Sequence, residues 1–193
     1  TIDHIGAVFY PNIILFIIIG RIAFPLFVYS MMIGYFNTHN LKKYILRLFI
    51  IGAISQIPYS LLFESNTPNI MFTLIAVLIY YYTLDKKKWW IMPFLVVIPF
   101  CLHFEYDTIY LFLVPIFYYC RNNCLLMSIL MTLFYLNFIS NGVTVFGFVI
   151  FYSILSIPFI IIKTNFNIKI NKYLFYFYYP FHIIVLLIIK NLI

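Results

Sequence analysis

Charge is scarce in this chain. Of its 193 residues, 12 are Lys or Arg and 5 are Asp or Glu, so 9% are charged against 65% hydrophobic. A soluble domain averages about 25% charged residues, and a water-facing surface cannot be assembled from so few. Cysteine is nearly absent. Cys101, Cys120 and Cys124 have no disulfide spacing, and "CRNNC" is a CxxxC, not a metal motif, so they read as apolar fillers or reduced thiols. Glycine numbers only six, with neither a GxGxxG nor a P-loop pattern, so no soluble-type nucleotide site is written here. No period-two alternation of polar and apolar residues runs through the chain, which argues against a β-barrel. No internal repeat and no signal peptide stand out.

What remains is apolar runs. Mean hydropathy is +1.05, and the expected fold is an all-α, polytopic transmembrane bundle of about eight or nine helices, forming one domain over residues 1–193. The expected spans end at Tyr10 or cover Ile13–Phe36, Leu41–Phe63, Asn69–Leu84, Trp89–Leu102, Thr108–Tyr119, Cys124–Ile139, Val143–Ile162 and Lys172–Leu192. The fifth and sixth are short and could form one re-entrant pair. The chain starts with Thr, and about ten residues precede Pro11-Asn12, half of a span, so a truncated first helix is expected.

A net charge of +7 could suggest nucleic acid, but the bases sit in short clusters between apolar runs, so no nucleic-acid partner is expected. Lys42, Lys43 and Arg47, then Lys86, Lys87 and Lys88, then Arg121, then Lys163, Lys169 and Lys172, fall in alternate loops or adjoining helix ends. The intervening loops hold Glu64, Glu105 and Asp107 or no charge. Positive-inside puts the basic loops in the cytoplasm, and the turn at Pro11 and the C-terminus outside. Lys190 is the exception, expected to snorkel from a helix end.

Counting depth at ~1.5 Å per residue puts Asp3 and His4 roughly 10 Å, and Arg21 roughly 13 Å, below the outer turn. Gln56 and His182 fall near the same level, so five polar residues from four segments share one layer in the outer half of the membrane. Arg21 cannot shed its proton and needs an anion, and Asp3 is the acid at that depth. An Asp3–Arg21 pair is therefore expected. Asp3 and His4 are consecutive, ~100° apart on a helix, so Asp3 does not automatically orient His4. The layer reads either as a helix-locking ion pair with satisfied histidines or as a functional site, the default for intramembrane ionisable groups. Pro25, Pro58 and Pro180 lie near it, as simple kinks or as the widening of a cavity. The aromatic run "YLFYFYYPFH" could line a tunnel or face lipid.

"DH" ending a first helix, "GRIAFPLFVYSMMIGY", "SQIPY", "NIMFTL" and "FYYPFH", in that order from Asp3 to His182, resemble the TraX family. Its namesake acetylates the N-terminus of pilin in conjugation. "FPLFVYSMMIG" is also similar to the second-helix motif of heparan glucosaminide acetyltransferases, within a broader group of transmembrane acyltransferases. The resemblance implies a membrane acetyltransferase in a bacterial cytoplasmic membrane. It would take acetyl-CoA as co-substrate from the cytosol and use His4 as base, with Asp3 and Arg21 beside it. Gln56, Asn69 and His182 match further polar positions and, with Tyr59 and Tyr179 of the same motifs, are the substrate-holding candidates. The acceptor would be a peptide amine, such as a pilin N-terminus, or a sugar hydroxyl; no metal is implied, and a homodimer stays open.

The chemistry agrees with that implication. Acyl transfer needs a base near neutrality, and His is the usual choice. The developing oxyanion needs a donor, either Arg21 or Gln56. The phosphates of CoA need cations, and Lys42, Lys43, Lys86, Lys87, Lys88 and Arg121 are expected on the cytoplasmic side. Two rival readings use the same residues: a small proton-coupled transporter with Asp3, His4 and His182 as a relay, or a non-catalytic assembly factor. Acetyl-CoA consumption in membranes separates the first reading from both.

Overall fold

A computed structural model describes residues 1–104, 109–140, 150–162 and 172–192. These form nine α-helices and no strand among the described residues. They are α1 (Ile2–Phe9), α2 (Ile14–Asn37), α3 (Leu41–Phe63), α4 (Ile70–Lys86), α5 (Met92–Leu102), α6 (Tyr110–Cys120), α7 (Cys124–Ser140), α8 (Ile157–Ile161) and α9 (Lys172–Leu192). A 3₁₀ turn at Trp89–Ile91 leads into α5, and another at Tyr152–Ser156 leads into α8. Helix is the outcome apolar surroundings impose, because each segment then satisfies its own backbone.

The expected spans match closely, and Leu41–Phe63 and Lys172–Leu192 match residue for residue. One departs. Val143–Ile162 was expected as one span; its described portion is helical from Ile150 but tightens into the 3₁₀ turn before the five-residue α8. Pro158 accounts for part of this: it sits at the start of α8, where it cannot donate to the preceding turn. The rest of that span, the loop acids Glu105 and Asp107, and Lys163 and Lys169 lie outside the described residues. Two helices, α2 and α3, are long and apolar enough to cross a membrane by length and composition; α5, α6 and α7 are apolar but shorter.

Helix α4 is the axis of the bundle. Up to Leu84 its residues are apolar or hydroxylated all round, as suits a helix buried on every side. Ile70, Leu74, Val77, Leu78 and Tyr81 are buried against α2, α3 and α6. The Tyr81 hydroxyl donates to the Val28 carbonyl of α2 at 3.2 Å, and the Tyr110 hydroxyl of α6 to the Leu95 carbonyl of α5 at 2.6 Å. Each places a phenol where its one polar atom has a partner. Asn40 and Asn69 cap α3 and α4, accepting from the Lys43 and Met71 amides at 3.0 Å. The outward faces are apolar: Leu15, Ile54, Ile57, Leu61, Phe94, Phe100 and Leu125 are all exposed. A water-soluble monomer does not display that much contiguous apolar surface.

The two ends of the bundle differ. At one, the Tyr35 hydroxyl of α2 donates to Asp85 of α4 at 2.9 Å, and Arg121 after α6 lies over the Phe36 ring of α2 at 4.8 Å. The carboxyl ends of α2, α4 and α6 therefore meet there, with Lys86, Lys87 and Lys88. At the other end Lys190 of α9 reaches across to α3. Its ammonium donates to Glu64 at 2.7 Å and to the Leu62 carbonyl at 3.0 Å. Lys190, expected to snorkel from a helix end, is also paired there, and it satisfies one of the carbonyls that the end of α3 leaves open.

Lys190 holds the Glu64 carboxyl below its ordinary value of 4.5, first through their hydrogen bond and then through its charge. A lowered folded value means stability that is present above 4.5 and lost as pH falls through the lowered value. Wild type is therefore expected to melt above Glu64→Gln at neutral pH, with the gap closing on acidification. Thermal unfolding of both proteins in detergent between pH 7 and 3 checks this.

Candidate functional site

The site begins with a close helix contact. Helix α1 has only eight residues and folds back along α2 through a turn at Tyr10–Ile13. Two glycines let it approach. A side chain added at Gly20 would overlap the Asp3 carboxylate, and one added at Gly6 would overlap Phe16. Gly20 is thus a notch in α2 that receives the acid of α1, in the manner of small-residue contacts between membrane helices.

The neighbour of that notch is Arg21. Its Nη2 donates to Asp3 Oδ2 at 3.2 Å and to Oδ1 at 3.4 Å, and both side chains are largely buried. The expected Asp3–Arg21 pair is present. On the far side of Arg21, Ser153 donates its hydroxyl to the Arg21 carbonyl at 3.2 Å, so the 3₁₀ turn before α8 packs on the same turn of α2.

His4 points elsewhere, as its offset from Asp3 requires. Its Nδ1 lies 3.1 Å from Nε2 of His182 on α9, with ring planes 15° apart. His182 is 7% exposed and its own Nδ1 lies 3.0 Å from the Tyr178 carbonyl, one helical turn earlier. Phe63 of α3 meets His4 edge-on at 5.1 Å, and Tyr179 meets His182 at 5.4 Å. The Tyr178 ring lies parallel to His182, and its hydroxyl bonds Thr1 at 2.5 Å. Helices α1, α2 and α9 thus bring Asp3, His4, Arg21, Tyr179 and His182 into one cluster, with Phe63 of α3 against it.

Gln56 and Asn69 do not join it. Gln56 Oε1 accepts from both the backbone and the side-chain amide of Asn69 at 3.0 Å. Gln56 Nε2 donates to Ser60 and to the Thr67 carbonyl, and Asn69 Nδ2 donates to the Gly52 carbonyl at 2.8 Å. These groups are spent on locking α3 to α4, where Gly52 allows close approach to Met71. The five-residue layer expected from depth is therefore two systems, and Gln56 belongs to the second. Tyr59 is buried beside Phe63, at 4.8 Å between rings, and supports the floor under His4.

The aromatic run on α9 divides by face. Tyr179 and His182 point inward, while Phe177 and Phe181, with Ile51, Ile54 and Pro180, line an open apolar groove of about 550 Å³ between α3 and α9. Of the cations considered for phosphate, Lys42, Lys43 and Lys87 are exposed, Lys86 pairs with Asp85 at 3.0 Å, Lys88 lies 5.1 Å from the Tyr82 ring, and Arg121 donates to the Tyr118 carbonyl. They share the basic end. No group of three metal-binding side chains occurs among the described residues.

Sequence reasoning missed three contacts: His4 with His182, Tyr35 with Asp85, and Lys190 with Glu64. The first was detectable as two imidazoles at equal depth. The small residue directly before Arg21 was the overlooked sign that something docks there.

An all-helical fold with an apolar exterior and an ionisable cluster inside its bundle is that of a membrane protein. The family profile described as "TraX protein" matches residues 1–190, and the chain belongs to that family. The TraX family is associated with pilin acetylation. An uncharacterized protein of Rickettsia prowazekii (strain Madrid E) is 41% identical over 75 residues, covering 38% of this chain and 28% of that protein. The matched stretch thus spans little more than a quarter of that relative. No solved structure matches the chain.

Removing one partner of the Asp3–Arg21 pair leaves a charge uncompensated among apolar side chains. Asp3→Asn and Arg21→Met are each expected to destabilise by about 3–5 kcal/mol. The double variant should lose less than the sum, because the two changes share one interaction. A double-mutant cycle on unfolding midpoints in detergent checks the coupling.

Proposed function

We propose that this chain is a multi-pass membrane acetyltransferase that moves the acetyl group of acetyl-CoA to an amine or hydroxyl acceptor. The observation that carries the reading is the convergence of His4, His182, Asp3 and Arg21 from three helices. Family membership supports the reaction class, and the acceptor class includes a peptide N-terminus of the pilin type.

His4 is the base. It takes a proton from the acceptor as that atom attacks the thioester carbonyl, and returns it to the departing thiolate. A positioned base of this kind is worth about 10²–10⁴-fold. Arg21 lies on α2 between the buried Gly20 and Phe24, held by Asp3 and able to stabilise negative charge that develops on the carbonyl oxygen. Gln56, considered for the same task, has its amide engaged with Ser60 and Thr67, which favours Arg21.

Donor and acceptor meet across the bundle. The basic end suits the phosphates of CoA, and Phe36 at that end lies fifteen residues along α2 from Arg21, roughly 22 Å of helix. The thioester must therefore be carried on an extended arm from one end of the bundle to the cluster near the other. In this reading Lys86, Lys87 and Lys88 face the cytoplasm, and the turn at Tyr10–Ile13 faces out.

Two measurements test the reading. His4→Ala, purified and folded, is expected to lose at least about 10²-fold in acetyl transfer; transfer at the wild-type rate would end the assignment. In oriented vesicles, acetyl-CoA is expected to act from the face that bears Lys86, Lys87 and Lys88. Their joint replacement by Gln is expected to raise KM for acetyl-CoA, with the effect shrinking at high salt. Donor use only from the opposite face would contradict the proposed sidedness.

A further inference from the structure

The hydrogen-bond chain through the two histidines has a direction. A carbonyl oxygen has no hydrogen, so at the 3.0 Å contact with the Tyr178 carbonyl the proton must lie on His182 Nδ1. A neutral imidazole carries one N–H, and His182 Nε2 is then a bare acceptor. Its 3.1 Å partner, His4 Nδ1, must be the donor. The single proton of His4 is thereby placed on Nδ1, which leaves Nε2 with its lone pair. Nε2 of His4 makes no hydrogen bond among the described residues.

Charge balance supports the neutral form of both rings. Asp3 and Arg21 already compensate each other, so an imidazolium at rest would be a second cation with no second carboxylate in the cluster among the described residues. At membrane depth such a charge costs about 2.5–3.5 kcal/mol on insertion scales.

We infer that His182 is a positioning residue: it fixes the tautomer and ring orientation of His4, so that His4 Nε2 is the atom that accepts the proton. This rests on the reading of His4 as the base. It differs from the substrate-holding role expected for His182. The acceptor N–H or O–H bond breaks as its proton moves to His4 Nε2 and the acceptor atom bonds to the thioester carbon. The carbon–sulfur bond then breaks, and the thiolate leaves with the proton from Nε2. His4 returns to its starting tautomer, and its Nδ1–H stays on His182 throughout. His182 thus does for His4 what a carboxylate does in a Ser-His-Asp triad, with a backbone carbonyl as the outer anchor.

The test reads ring nitrogens directly. His39 and His103 are both exposed, so a His39→Gln/His103→Gln background leaves two labelled histidines in the full chain. Nitrogen-15 spectra in lipid nanodiscs are expected to show both rings as the Nδ1–H tautomer. In His182→Leu, His4 is expected to shift toward the Nε2–H form, and kcat for acetyl transfer to fall about 10²-fold. His182→Gln should recover most of that loss, because its Oε1 can accept where His182 Nε2 did. A wild-type His4 that carries its proton on Nε2 overturns the inference, even in an active enzyme. So does a His182→Leu protein that keeps both the tautomer and the rate. Two Nδ1–H rings in a protein that transfers no acetyl group support the hydrogen-bond chain and overturn acyl transfer alone.

Discussion

Arg21 cannot lose its charge, and it sits in a helix that is otherwise apolar through most of its length. That constraint organises the rest of this end of the bundle. The guanidinium needs a carboxylate, and among the described residues the one that reaches it is Asp3 on α1. To bring Asp3 there, α1 must lie flat against α2, which Gly20 and Gly6 permit. Once Asp3 faces α2, helical geometry turns His4 through ~100°. That rotation carries its ring toward α9 and His182. The ion pair and the imidazole pair are therefore not two independent features. The first sets the rotation of α1, and the second uses it.

The two polar systems near this level are built for opposite ends. Between α3 and α4, Gln56 and Asn69 use their amides on each other, on backbone and on Ser60, which gives a fixed joint with little left to offer a ligand. The histidine chain ends in a nitrogen with no protein partner among the described residues. A fully satisfied network rigidifies, and an unfinished one is where chemistry can enter. The rigid joint also holds Phe63 and Tyr59 on α3 in place, and these form the wall against which His4 rests. The opposite end of the bundle, with Lys86, Lys87, Lys88 and Arg121, contributes charge but no buried ionisable cluster among the described residues.

Much of the fold was legible because apolar surroundings leave so few choices. Helix ends sit where Asn40, Asn69 or a left-handed residue such as Glu64 or Lys87 interrupts an apolar run, and such breaks are plain in the sequence. The Asp3–Arg21 pair followed from charge alone, since few acids exist to choose from. Gln56 lies apart from the ionisable cluster for a physical reason. Depth along a helix is a one-dimensional coordinate, whereas membership of a cluster also needs the rotation about the axis and the identity of the facing helix. The His4–His182 contact joins residues 178 apart in sequence, and no local pattern records it. The division of the α9 aromatics into an inward pair and a groove-lining set was likewise hidden, because tyrosines recur around the helix and do not mark one face.

The four residues of the turn between α1 and α2 set the register of the whole arrangement. Tyr10 to Ile13 is too short to absorb slack, and a hydrogen bond of 3.0 Å from the Ile13 amide to the Tyr10 carbonyl draws it tight. A residue inserted in α1 between His4 and that turn would lift the acid–imidazole pair by ~1.5 Å and swing it by ~100°. Such a change would scarcely alter composition and hydropathy, yet Asp3 would miss the notch at Gly20 and His4 would face away from α9. In this chain the length between the acid and the turn is therefore as restrictive as the identity of the acid itself, and an insertion of a full turn would disturb rotation least.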